Sequence, residues 1–156
     1  MKIGLIIFSQ SGNTRSVAEK IRDRLNLSGH EAVIDEIRIS GKVPAEMGKF
    51  KIEHSPSPDQ YDAVIFGAPV QAFSLNPVMK EYMGKMPPLK GKKVVLYITK
   101  QLPLLFAGGT GSIALMKKAC EDRGAKVIET GMVVWSDKKR QQSVKENVDK
   151  IVSAFS

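Results

Sequence analysis

A chain of 156 residues, 42% apolar and 26% charged, has the size of one globular domain and enough apolar material for a core, which excludes a disordered or low-complexity protein. Twenty-four Lys and Arg against 16 Asp and Glu give a net charge of +8, yet the basic pairs Lys92/Lys93, Lys117/Lys118 and Lys138/Lys139 are scattered without interleaved aromatics, so nucleic-acid binding is not expected. A lone cysteine, Cys120, and two isolated histidines, His30 and His54, exclude an internal disulfide and a Cys-rich metal site. No stretch approaches the ~20 apolar residues of a membrane span, and Met1–Phe8 is too short for a secretory signal. The expectation is a single cytoplasmic domain covering 1–156.

Lys2–Phe8 is an unbroken β-rich apolar run. It passes through Ser9, Gln10, Ser11 and Gly12 into a helical pattern with Val17, Ile21 and Leu25 on one face, stopped by Gly29. Ala32–Ile37 reads as a second strand. Arg38–Gln60, with Gly41, Pro44, Gly48, Pro56 and Pro58, is irregular and long for a loop, so it is either a surface excursion or the host of a short helix. Ala63–Gly67 is a third strand, and Met79, Tyr82, Met83 and Met86 form a helical stripe whose methionines are expected to pack. Val94–Ile98 is a fourth strand. Ile113, Met116, Ala119 and Cys120 share a helical face that Gly124 ends. Val127–Trp135 is the fifth strand, and Val144, Val148, Ile151 and Phe155 mark a last helix with Ser136 or Asp137 as its N-cap.

Five apolar strands alternating with helices require a parallel sheet covered on both faces, the doubly wound α/β arrangement. Ligands of such sheets sit outside the carboxyl ends of the strands, which directs attention to the loops after strands one, three and four. In the first of these, Ser9, Gln10, Ser11, Gly12, Asn13 and Thr14 combine three hydroxyls, amide side chains and a glycine at a helix N-terminus, chemistry suited to a phosphate monoester. A simpler role for Ser11 or Asn13 is to cap the helix. The Walker pattern is absent. Ala68, Pro69, Val70, Gln71, Ala72 and Phe73 form the second loop, where small residues permit close backbone approach and Phe73 either flanks a ring or belongs to the core. The third loop carries Thr99, Lys100 and Gln101, then the apolar Leu102–Phe106 and the pair Gly108 and Gly109. Gly109–Ala114 also fits a dinucleotide-binding pattern, but about ten residues part it from its strand. It reads as the end of a loop and the start of a helix.

The segment Ser9-Gln10-Ser11-Gly12-Asn13-Thr14 resembles the phosphate-binding fingerprint of flavodoxins, Thr/Ser-x-Thr/Ser-Gly-x-Thr. The resemblance continues through Asp62–Pro69 and Gly91–Val95 over nearly the whole chain. It implies a three-layer flavodoxin-like sandwich with a five-stranded parallel sheet of order 2-1-3-4-5 and FMN as cofactor. Phosphate would then sit on Ser9–Thr14, with the flavin between Ala68–Phe73 and Thr99–Gln101 and Gly108 and Gly109 nearby. A redox carrier is the leading expectation, monomeric or homodimeric, serving an acidic protein partner. An NAD(P)H-dependent flavin or quinone reductase of the same fold is the alternative, and a flavin-free binding module a third reading. Two features depart from an electron-carrier flavodoxin: the charge of +8, where carriers are usually acidic, and the apolar Leu102–Phe106.

Overall fold

The computed structural model describes residues 1–42, 45–101 and 108–156. Five parallel strands, β1 (Lys2–Ile7), β2 (Glu31–Glu36), β5 (Ala63–Gln71), β7 (Lys93–Lys100) and β8 (Lys126–Val134), stand in the order β2-β1-β5-β7-β8. This is the expected 2-1-3-4-5 arrangement. The helices are α1 (Asn13–Leu27), α2 (Pro77–Lys85), α3 (Gly109–Asp122) and α4 (Arg140–Ser153).

Strand alternation divides the apolar residues between the two faces of the sheet. Ile3, Leu5, Ile7, Ala63, Ile65, Val95 and Tyr97 pack against α1 and α4. Ile6, Phe8, Val64, Phe66, Leu96 and Ile98 pack against α2 and α3 on the other side. Met79, Met83 and Met86 are buried there, as is Cys120. Burial pushes the Cys120 thiol up to about 12, so iodoacetamide at pH 8.5 should alkylate it only at the rate of global unfolding, readable by mass spectrometry with and without denaturant.

Three local expectations are corrected. Arg38–Gln60 is neither loop nor helix host alone. It contains an antiparallel pair, β3 (Arg38–Gly41) with β4 (Phe50–His54), followed by a 3₁₀ turn at Pro58–Gln60. His54 Nε2 meets Asp35 Oδ1 at 2.8 Å and the Tyr61 hydroxyl donates to Asp35 Oδ2 at 2.8 Å, which ties this excursion to β2. The third parallel strand runs on to Gln71 and folds back as a two-residue strand, β6 (Ser74–Leu75). Finally, α4 is capped by Lys139, not by Ser136 or Asp137. The Asp137 carboxylate accepts from the Lys139 amide at 2.9 Å, a turn that delays the helix by two residues.

One large side chain governs the middle of the sheet. Tyr97 on β7 lies in register between Gly67 of β5 and Gly131 of β8. A Cβ at Gly67 would stand 2.3 Å from Tyr97 Cζ. At the edge of the sheet, α4 sends Asn147 onto β8, where its amide accepts from the Met132 N–H and donates to the Met132 carbonyl, both at 3.1 Å.

Candidate functional site

The chain leaves β1 at Ile7 and reaches α1 through Gly12, whose left-handed φ of +94° serves as the N-cap without any side-chain hydrogen bond. Ser11 and Asn13 are therefore not spent on capping. The Ser9 hydroxyl accepts from the Arg15 amide at 3.2 Å, while the Gly12, Asn13 and Thr14 amides have no protein acceptor among the described residues. Amides left this way at a helix N-terminus form an anion cradle. No acidic side chain occupies the first turn of α1, and nothing lies within 4 Å of a Cβ built on Gly12, so the approach is open.

Thr14 is placed differently from its neighbours. It is buried, and its Oγ1 shares a 2.9 Å hydrogen bond with Thr99 Oγ1 at the end of β7. The Tyr97 hydroxyl donates to the Thr14 carbonyl at 2.7 Å. Thr14 thus ties the first loop to the third from behind.

In the second loop, Gln71 and Ser74 pair across a two-residue turn formed by Ala72 (φ 50°) and Phe73 (φ 61°). Two positive φ values in succession define the type I′ hairpin, a turn that usually takes Asn-Gly. A non-glycine pair stores strain of order 1 kcal/mol or more per residue. Phe73 is 62% exposed, so the core reading of this residue is excluded. Ala68 is fully buried beneath the loop.

Asn76, also fully buried, joins the second loop to α2. Its Oδ1 caps α2 through the Val78 and Met79 amides, with Pro77 at the first helical position. Its Nδ2 donates to Gln71 Oε1 at 2.8 Å and Gln10 Oε1 at 3.3 Å. Gln71 in turn donates to the Ala45 carbonyl, bringing Ala45 to the same place. Sequence reasoning missed Asn76, although Asn-Pro before a helical stripe was its signal.

The third loop begins at Thr99 and Lys100, both buried, and at the exposed Gln101. Its apolar part, Leu102–Phe106, lies outside the described residues. On return, Gly108 adopts φ +89°, and a Cβ there would fall 2.3 Å from the Phe73 carbonyl oxygen. Gly108 and Gly109 therefore bring the start of α3 against the tip of the second loop, the helix start expected of this pair.

Gln10, Ser11 and Asn13, then Pro69, Val70 and Gln71, then Thr99, Lys100 and Gln101 line one cavity of about 220 Å³. All of them belong to the three loops that the sequence singles out. Ser9, Gly12, Thr14, Ala72 and Phe73 adjoin these lining residues in the chain without lining the cavity themselves. Lys100 supplies the charge among the described lining residues. Open amides, a hydroxyl, carboxamides and an ammonium suit a phosphate ester, and no carboxylate stands among the described lining residues to repel one.

Comparison with known proteins agrees with this arrangement. A family model described as "Flavodoxin domain" matches residues 5–103. No curated protein sequence matches. Solved structures similar over nearly the whole chain include oxidised flavodoxin 2 from Bacillus cereus, at 20% identity and a TM-score of 0.68, covering 99% of this chain and 97% of that one. Two-electron reduced Megasphaera elsdenii flavodoxin has 20% identity and a TM-score of 0.65, with 95% and 98% covered. A Lactobacillus acidophilus flavoprotein in complex with FMN has 14% identity and a TM-score of 0.63, with 94% and 97% covered. These identities speak for the fold, and the family rests on the match over residues 5–103, more than half of the sequence: the chain belongs to the flavodoxin domain family.

Proposed function

We propose that this chain binds FMN at the three-loop cavity and acts as a redox protein that exchanges electrons with a partner through the bound flavin. The observation that carries the reading is the unused amide cradle of Gly12–Thr14, opening into a cavity lined by Ser11, Asn13 and Lys100. When bound, the flavin supplies the electron chemistry. The chain's residues supply position and electrostatics. Ser11, Asn13 and the first-turn amides would hold the phosphate, and Lys100 adds a cation. Gln71, whose carboxamide is fixed by Asn76 and the Ala45 carbonyl, keeps one N–H and one oxygen lone pair that could meet the polar edge of the ring. A volume of 220 Å³ is below the usual 300–1,000 Å³ of a cofactor pocket, so the ring would extend past the cavity, where the exposed Phe73 of the second loop is available to flank it.

The phosphate assignment has a direct test. Charge-assisted hydrogen bonds contribute roughly 1.5–3 kcal/mol each, so losing two or more should weaken riboflavin relative to FMN by about a hundredfold or more in fluorescence titration. Ser11→Ala and Asn13→Ala should each weaken FMN by about tenfold and leave riboflavin unchanged. FMN affinity should also fall as pH drops below about 6, where the phosphate takes up its second proton. Equal affinity for the two flavins would remove the proposal. Rapid, saturable anaerobic bleaching of the loaded protein by NADH or NADPH would instead assign it to the reductases.

A further inference from the structure

Apart from this cavity, a groove of about 750 Å³ runs between α1 and α4, lined by Ser16, Lys20, Trp135, Arg140, Val144 and Val148 among others. Its two ends differ in charge. At the far end, Arg24 and Lys145 converge on Asp149, at 2.6 Å and 3.3 Å. At the end nearer the carboxyl edge of the sheet, Lys20, Lys138, Lys139 and Arg140 have no carboxylate within salt-bridge range among the described residues. Arg140 is held in place there. Its guanidinium lies 5.0 Å over the Trp135 ring, and its Nη1 donates to the Trp135 carbonyl at 2.7 Å. The Trp135 amide donates to the carbonyl of Lys100, so this end of the groove adjoins the three-loop cavity.

Helix for helix, α1 and α4 hold seven basic and four acidic residues, against four and three on α2 and α3 across the sheet. Lys138 and Lys139 add to the first face just before α4. An apolar floor of Trp135, Val144 and Val148 with cations at its rim has the composition of a protein-binding surface. Asp23 and Asp149 set among the cations interrupt the continuous basic stripe that a nucleic-acid backbone needs.

We propose that the α1–α4 groove is the docking surface for an acidic partner protein. It steers that partner to the side of the phosphate loop. Docking itself does not require flavin, whereas electron exchange with the docked partner rests on the FMN reading above.

The test uses a small acidic ferredoxin as probe, titrated at low salt into the ¹⁵N-labelled full chain, with and without FMN. Shifts should concentrate at Ser16, Lys20, Arg140 and the Trp135 indole. Lys20→Glu with Lys139→Glu, both exposed, should weaken binding by about tenfold or more. Lys80→Glu with Lys117→Glu imposes the same change of net charge on the opposite face and should weaken it by about threefold at most. Equal losses from the two pairs, shifts confined to α2 and α3, or tighter binding of duplex DNA or phosphatidylglycerol vesicles through the same groove would each overturn the proposal. Groove binding in a protein that takes no FMN would leave docking standing and remove the redox reading. FMN binding with a silent groove would do the reverse.

Discussion

Replacing Gly67 by alanine should lower the melting temperature by several degrees and weaken FMN binding together, although residue 67 does not line the cavity. The added methyl would lie 2.3 Å from Tyr97 Cζ, and the ring has Gly131 on its other side, where a Cβ of its own would already press on Asn147 and Ile151. The ring has to move. Overpacking of this kind costs about 1–3 kcal/mol, or roughly 2–4 °C per kcal/mol in a domain of this size. Because the Tyr97 hydroxyl holds the Thr14 carbonyl, displacement of the ring releases the loop that carries the open amides. Tyr97→Phe separates the two effects: it should lose about 1 kcal/mol through the missing hydrogen bond and weaken FMN modestly. The double variant Gly67→Ala/Tyr97→Val should recover part of the stability lost by Gly67→Ala and none of the FMN affinity. Full recovery of affinity would disconnect Tyr97 from the loop.

Asn76→Leu should be more damaging. The side chain is fully buried, it caps α2 through two amides, and its Nδ2 serves the carboxamides of both Gln10 and Gln71. Removal of the cap costs about 1–2 kcal/mol, and each partner left unsatisfied about 1–3 kcal/mol more. A total loss near 3–5 kcal/mol is therefore expected in urea unfolding. Asn76→Asp is the informative companion. It keeps the acceptor for the Val78 amide and retains the helix, but it places carboxylate oxygen against two carboxamide oxygens. Far-UV circular dichroism should stay native while flavin affinity falls. If Asn76→Asp bound FMN as the parent chain does, the first and second loops would not be coupled through this residue.

How much of the molecule is legible in its sequence depends on how far each signal travels along the chain. Loops after parallel strands one, three and four are placed together by topology alone, so the nine cavity residues could be named without coordinates. Glycines 29 and 124 end helices where expected, with φ of +90° and +84°. The β3–β4 pair is obscured because its strands are four and five residues long and bury no residue fully, leaving weak alternation among turn-forming residues. The partnership of Gly67, Tyr97 and Gly131 depends on register between strands 30 or more residues apart, which no local window carries. Phe73 could not be assigned by composition, since the I′ turn that exposes it forms from Ala-Phe in place of the usual Asn-Gly.

The Asn147 amide on the rim of β8 has a consequence for self-association. An open sheet margin offers a row of donors and acceptors to any passing strand, and this chain has such a margin where β8 has no neighbour beyond it among the described residues. By presenting a carbonyl and an amino group in the places a sixth parallel strand would fill, Asn147 occupies part of that row, at Met132, from within its own molecule. Lys150, 3.8 Å from Glu129, puts a cation along the same border. Edge-to-edge pairing of two copies would have to expel this carboxamide and break into the Lys150–Glu129 pair, so the molecule carries its own guard against runaway sheet extension.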